Sequence, residues 1–137
     1  CTGRHVVSVS AQMDNADFDL RCALTLHLDN GAYATLSQCA DSQIRTKRQH
    51  SVYYGSKGTA IMRGFPFSIE FENNQILEQF SENELEDPPS PVGNFVDCLL
   101  ARGTSEIDGE MAVHIVEIIQ AAARAARDGR NTTLSAI

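Results

Sequence analysis

The stretch from Phe18 to Cys39 constrains the fold more than any other. Phe18, Leu20, Cys22, Leu24, Leu26 and Leu28 alternate with Asp19, Arg21, Thr25, His27 and Asp29, and only Ala23 falls out of pattern. Period two of this kind describes a strand with one buried face. Asn30-Gly31 follows at once, a pair that tolerates the positive φ of a two-residue hairpin turn. "AYATLSQC" then folds back antiparallel. With Asn30 and Gly31 as the loop, Leu28 faces Tyr33 and Leu26 faces Thr35. The other face collects Thr25, His27 and Asp29 with Ala32, Ala34 and Leu36. That face is too apolar for bare solvent and too polar to carry a layer of helices. Its mixture marks Thr25, His27, Ala32 and Ala34 as a candidate subunit interface. A solvated face with incidental alanines is the plain alternative.

Further strands surround the hairpin. "HVVSVSAQ" from His5 to Gln12 is valine-rich and alternating. "HSVYYGSKGTAIMRGF" gives two strands about a Gly55-Ser56-Lys57-Gly58 turn. "FSIEFE" points Phe67, Ile69 and Phe71 inward, and "NNQ" turns into "ILEQF". Such short connections imply antiparallel neighbours.

"SENELEDPPSP" ends the run of strands with acids and prolines, a surface loop too short to link two domains. A helix follows, with Ser90 as N-cap and Pro91 at its first position. Val92, Phe95, Val96, Leu99 and Leu100 make its apolar stripe, and Gly103 offers the left-handed stop. The last helix starts at "DGE", with Asp108 as N-cap and Glu110 favoured in the first turn by the helix dipole. Its buried stripe is expected to be Met111, Ile115, Ile118 or Ile119, Ala122 and Ala126. His114, Glu117, Arg124 and Asp128 then occupy the opposite face, and Gly129 ends the helix. The structural tasks of Asp108 and Glu110 leave no reason to give either a catalytic role. The expected fold is α+β: one mainly antiparallel open sheet of about 5–7 strands, with the two C-terminal helices on one face. The length of 137 residues suits a single domain spanning 1–137.

Composition narrows the functional classes. The net charge of −7 disfavours nucleic acid, whose phosphates would repel the chain. No apolar run approaches the ~18 residues of a membrane-spanning helix. Cys1, Cys22, Cys39 and Cys98 lie far apart without a C-x-x-C pair, which suits a reduced cytoplasmic protein. An N-terminal cysteine can carry a lipid, but Val6 already begins a strand where a tether would be expected. "NTT" at Asn131 matches a glycosylation acceptor only as a common tripeptide.

Chemistry is sparse. No G-x-G-x-x-G or G-x-x-x-x-G-K-[ST] phosphate loop occurs, and no G-x-S-x-G elbow. "GSKG" is better explained as a β-turn than as a phosphate cradle. His5, His27, His50 and His114 lack metal-ligand spacing, so no metal site is expected. "RTKR" at Arg45–Arg48 is the one basic cluster. It is either a charged strand end that discourages edge pairing or a loop that reaches an anionic substrate.

Taken together, "NFVDCLLARG…DGEMAVHIVEIIQAAARAARDGR", "GSKGTAIMRG" and "VVSVSAQ" resemble the C-terminal part of the Gfo/Idh/MocA oxidoreductases, the group of glucose–fructose oxidoreductase and inositol dehydrogenase. The resemblance covers nearly the whole chain. It implies a parent enzyme with an N-terminal Rossmann domain for NAD or NADP, followed by a domain built on a large open sheet. The family's dinucleotide turn, catalytic lysine segment, and helix bearing Asp and His have no counterpart here. No catalytic or cofactor-binding residue is therefore assigned, and this chain by itself is expected to bind no cofactor and to be inactive. The resemblance further implies that the missing Rossmann domain is one partner and a second copy another, joined through the open sheet face. It also sets the loop with Gln43, Arg45 and Arg48 near the substrate, a sugar, cyclitol or related polyol. Two other classes compete. One is a stand-alone dimerising sheet module that binds a small ligand or protein without catalysis. The other is a small cone-shaped α+β hydrolase or isomerase, disfavoured because its pocket positions would be leucine and phenylalanine.

Overall fold

The computed structural model describes residues 3–14, 20–43, 49–87, 90–105 and 109–134. The chain divides into two compact units, residues 1–42 with 101–137 and residues 43–100. Both are built on four-stranded antiparallel sheets. The class is the α+β expected, with the strands divided between two sheets instead of gathered in one.

In the first unit, β1 (Val6–Met13), β2 (Arg21–Leu28), β3 (Tyr33–Cys39) and the short β8 (Thr132–Thr133) form a sheet of order β3-β2-β1-β8. The helix α2 (Gly109–Asp128) lies across it at β1 and β8. Val9, with no exposed surface, sits at the centre with Val6, Ala121, Ala122 and Leu134. Ala11, Met13, Leu24, Leu26 and Ile118 pack around them. Val6 and Val9 are three apart, a spacing that a regular strand would send to opposite faces. An irregularity in pairing between Val6 and Ser8 corrects this, because one extra residue lets both valines face the helix.

The hairpin departs from expectation by one residue. Leu28 N–H donates to Ala32 O at 2.9 Å and Gly31 N–H to Leu28 O at 3.0 Å. The loop is thus Asp29-Asn30-Gly31, with Gly31 at φ +84°. A tight turn closed by a left-handed glycine is the three-residue solution, and it adds one residue to the loop that Asn-Gly alone would make. His27 therefore opposes Tyr33, Leu26 opposes Ala34 and Thr25 opposes Thr35. Since a slip of one residue exchanges faces, Ala34 and Leu36 join Leu26 and Leu24 on the helix side. Thr25 and His27 share the other face with Tyr33 and Thr35.

The helix α2 is also rotated from the expected placement. Its buried residues are His114, Ala121, Ala122 and Ala125, with Ile118 half-buried between them. Met111, Ile115 and Ile119 are exposed, Ile119 to 62%. Three alanines at the contact bring the helix axis close to the sheet, which bulky isoleucines would prevent. His114 accordingly turns toward the strand instead of solvent, with the Oε2 of Glu117 buried 3.6 Å from its Nδ1. Gly129 ends the helix at φ +64°, as expected. Asp108 lies outside the described residues.

In the second unit, β4 (Gln49–Gly55), β5 (Gly58–Gly64), β6 (Ser68–Glu72) and β7 (Leu77–Ser81) form a meander. Ser56-Lys57 is a two-residue turn between the paired Gly55 and Gly58. Tyr53, Ala60, Met62, Ile69, Phe71 and Phe80 share one face by register. The other carries Arg63, Glu70 and Gln79, with Gln79 Nε2 donating to Glu70 Oε2 at 2.8 Å. Phe67 precedes β6, partly exposed and tilted against Phe65 with ring centres 4.8 Å apart. The helix α1 (Pro91–Leu99) starts as expected, since Ser90 Oγ accepts from Gly93 N–H at 3.2 Å and Pro91 occupies its first position. Its apolar stripe is exposed, from Val92 to Leu100. The left-handed residue after it is Ala101, at φ +54°, and not Gly103.

Candidate functional site

The hairpin register gives the first unit a sheet face turned away from α2, with Ser8, Ser10 and Gln12 from β1, Ala23, Thr25 and His27 from β2, and Tyr33, Thr35 and Ser37 from β3. The surface is polar, with one aromatic feature. Tyr33 stacks on His27 with ring centres 4.7 Å apart and planes 16° from parallel. Tyr33 remains 71% exposed. A stacked, rigid aromatic on a polar face suits an anchoring contact, because it offers large area at small entropic cost. Of the four expected interface residues, Thr25 and His27 lie on this face together. Ala34 lies on the opposite face, and Ala32 sits at the turn. Tyr33 was missed because a two-residue loop put it with Leu28.

At the other end of the hairpin, the chain is clamped before it enters the 43–48 segment. Arg21 Nε donates to Asp41 Oδ1 at 3.0 Å, and Nη2 bonds to Oδ2. The Cys39 thiol lies 3.3 Å from Asp41 Oδ1 as its second donor. Held by the Arg21 guanidinium first and this thiol second, the Asp41 carboxyl is lowered from its ordinary 3.8 to about 2. Arg21 N–H also donates to Asp14 Oδ1 at 3.2 Å, and Ala40 N–H to Leu20 O at 2.7 Å. A bidentate pair of this kind fixes direction as well as distance. Gln43 is exposed. Arg45 and Arg48 lie outside the described residues.

The second unit holds an open cleft of about 440 Å³, where Gly55, Ser56, Lys57, Gly58 and Thr59 meet Glu72, Asn73 and Asn74. The two turns approach closely there, since a Cβ on Gly58 would stand 2.5 Å from Glu72 O. Asn73 Oδ1 is occupied within its own turn by the amides of Gln75 at 2.9 Å and Ile76 at 3.0 Å.

Among the described residues no group of three His, Cys, Asp or Glu side chains could hold a metal, and no helix is long and apolar enough to cross a membrane. Among the described residues the buried polar side chain is His114. Its Nε2 accepts from Val6 N–H at 2.9 Å. Helical spacing could have revealed it, because His114, Ile118, Ala121 and Ala125 follow i, i+4, i+7 and i+11. Giving the stripe to the largest side chains hid that pattern.

No family model matches the sequence, and no curated protein matches it. Solved structures do match. An assigned oxidoreductase from Thermotoga maritima superposes with a TM-score of 0.84 at 17% identity, over 97% of this chain and 42% of its own. The aldose–aldose oxidoreductase of Caulobacter crescentus, complexed with glycerol, gives 0.76 at 19% identity, over 97% and 42%. The WlbA dehydrogenase of Bordetella pertussis, in complex with NADH and UDP-GlcNAcA, gives 0.72 at 20%, over 97% and 40%. The fold is that of one part of the Gfo/Idh/MocA-type oxidoreductases. The chain spans about two-fifths of the length of each of these three structures. At these identities the Gfo/Idh/MocA-type fold is what the two sides share, and it agrees with the resemblance drawn from the sequence motifs.

Proposed function

We propose that this chain is the C-terminal substrate and oligomerisation domain of a NAD(P)-dependent oxidoreductase acting on a sugar, cyclitol or related polyol. The superposition over 97% of this chain and only 42% of a full oxidoreductase carries the proposal. It fits a piece whose remaining three-fifths is a cofactor-binding Rossmann domain. In that enzyme, hydride passes between a carbinol carbon of the substrate and the nicotinamide, and the protein orients the two. This chain supplies walls to that site and not the reacting groups. Gln43, with Arg45 and Arg48 beyond it, would bond substrate hydroxyls or an anionic substituent. The open sheet face, with Thr25, His27 and Tyr33, would join two copies. The thiols of Cys39 and Cys98 suit a reducing cytoplasm.

Calorimetric titration of the 137 residues with NAD⁺ and NADP⁺ tests the assignment, and no binding at micromolar concentration is expected. Micromolar affinity for either would overturn it. The non-catalytic sheet module remains the second reading because the open face is exposed and aromatic. The encoding frame separates the two: roughly 200 upstream residues with a Gly-rich strand–helix turn belong to the enzyme, and a start codon beside Cys1 to the module.

A further inference from the structure

We infer that His114 is an acid-operated latch between the helix α2 and the first residue of the sheet. Val6 opens β1, and its amide donates to the Nε2 of His114, 108 positions away, at 2.9 Å. A backbone N–H only donates, so Nε2 carries no proton and the neutral ring holds its proton on Nδ1. That Nδ1 points at Glu117 Oε2 across 3.6 Å, beyond hydrogen-bond length. Both atoms are buried and neither has a hydrogen-bond partner. The ring therefore has one made contact, to the strand, and one unmade contact, to its own helix.

Protonation exchanges the two. An imidazolium has two donors and no acceptor, so Nε2–H would confront Val6 N–H, donor against donor. At the same time the positive ring gains the Glu117 carboxylate one turn along the same helix. Acid thus moves His114 from bridging strand and helix to pairing within α2, and Val6 loses its acceptor on the helix. The other titratable group against the ring is His5, edge-on with ring centres 5.0 Å apart. A positive charge on His5 would oppose a second one on His114. Asp29 is turned to the His5 backbone, its Oδ2 accepting from His5 N–H at 3.4 Å. β8, the second strand under α2, contributes no titratable side chain. Val9, deeper in the same strand, is held by apolar packing and does not share the dependence. Local release of Val6 on protonation of the ring, with the core intact, is the outcome.

The test is amide exchange and ¹⁵N resonances of the whole 137-residue chain between pH 8 and pH 5. The imidazole signals at pH 8 should be those of the Nδ1–H form. The Val6 protection factor should fall as the ring takes up its proton, one proton being bound per opening, while that of Val9 stays level. His114→Gln keeps an acceptor and cannot titrate, so its Val6 protection should be flat with pH. His5→Ala should retain the step. An Nε2–H ring at pH 8, Val6 protection that ignores His114 protonation, or a step that survives in His114→Gln would overturn the inference. Should His114→Gln not fold, the ring's form and the Val6–Val9 contrast in the unmodified chain still decide.

Discussion

The rotation of α2 can be tested by a pair of substitutions whose ranking reverses if the helix lies the other way. Ala121 has no exposed surface, whereas Ile119 is 62% exposed. Ala121→Leu forces three more carbon atoms between the helix and β1 where Val9 leaves no room. Overpacking of that kind costs about 1–3 kcal/mol. Ile119→Ala removes three carbons worth about 0.8 kcal/mol each when fully buried. With little more than a third of the side chain covered, the loss is roughly 0.9 kcal/mol, and the better helix propensity of alanine returns a few tenths. The expected costs are therefore about 2 kcal/mol for Ala121→Leu and about 0.5 kcal/mol for Ile119→Ala. Urea unfolding followed by circular dichroism resolves the difference, provided the slope with denaturant is common to both. If Ile119→Ala proved the costlier, the stripe of bulky residues would be the buried one and the packing described for α2 would be wrong.

Three further outcomes follow from single contacts. Val9→Ala should cost about 2–3 kcal/mol in the same assay, the transfer of two buried carbons plus the cavity they leave. Ala101→Gly, which relieves a left-handed φ of +54° after α1, should leave stability unchanged or raise it by up to about 1 kcal/mol by thermal melting. Asp41 is a depressed carboxyl, so its contact with Arg21 contributes above its ordinary value of 3.8 and is lost as pH falls through about 2. Carbon-detected titration should find that low midpoint, and Arg21→Ala should return it toward 3.8.

Where the sequence was legible, one local signal fixed the element. Alternation located β1, β2 and β6, the turns beside them located β3, β4, β5 and β7, and Ser90 with Pro91 set the start of α1 by satisfying a free amide and supplying a suitable φ. The hairpin face was misjudged because Asn30-Gly31 suits more than one loop. Whether Gly31 closes a two-residue turn or a three-residue one sets which residues of β3 join Leu24 and Leu26 on the helix side. The one residue at stake moved Ala34 off the candidate interface and put Tyr33 on it. The helix α2 failed for a related reason. Its apolar arc is wider than the sheet can cover, so periodicity permits several rotations, and the closest approach selects the alanines. His114 follows from that choice. Once Ala121 and Ala125 face β1, a residue at position 114 must lie beside the first strand amide, and an acceptor there satisfies a group that would otherwise be buried alone. The chemistry of a histidine at that point is thus a consequence of how closely a helix can lie on a sheet.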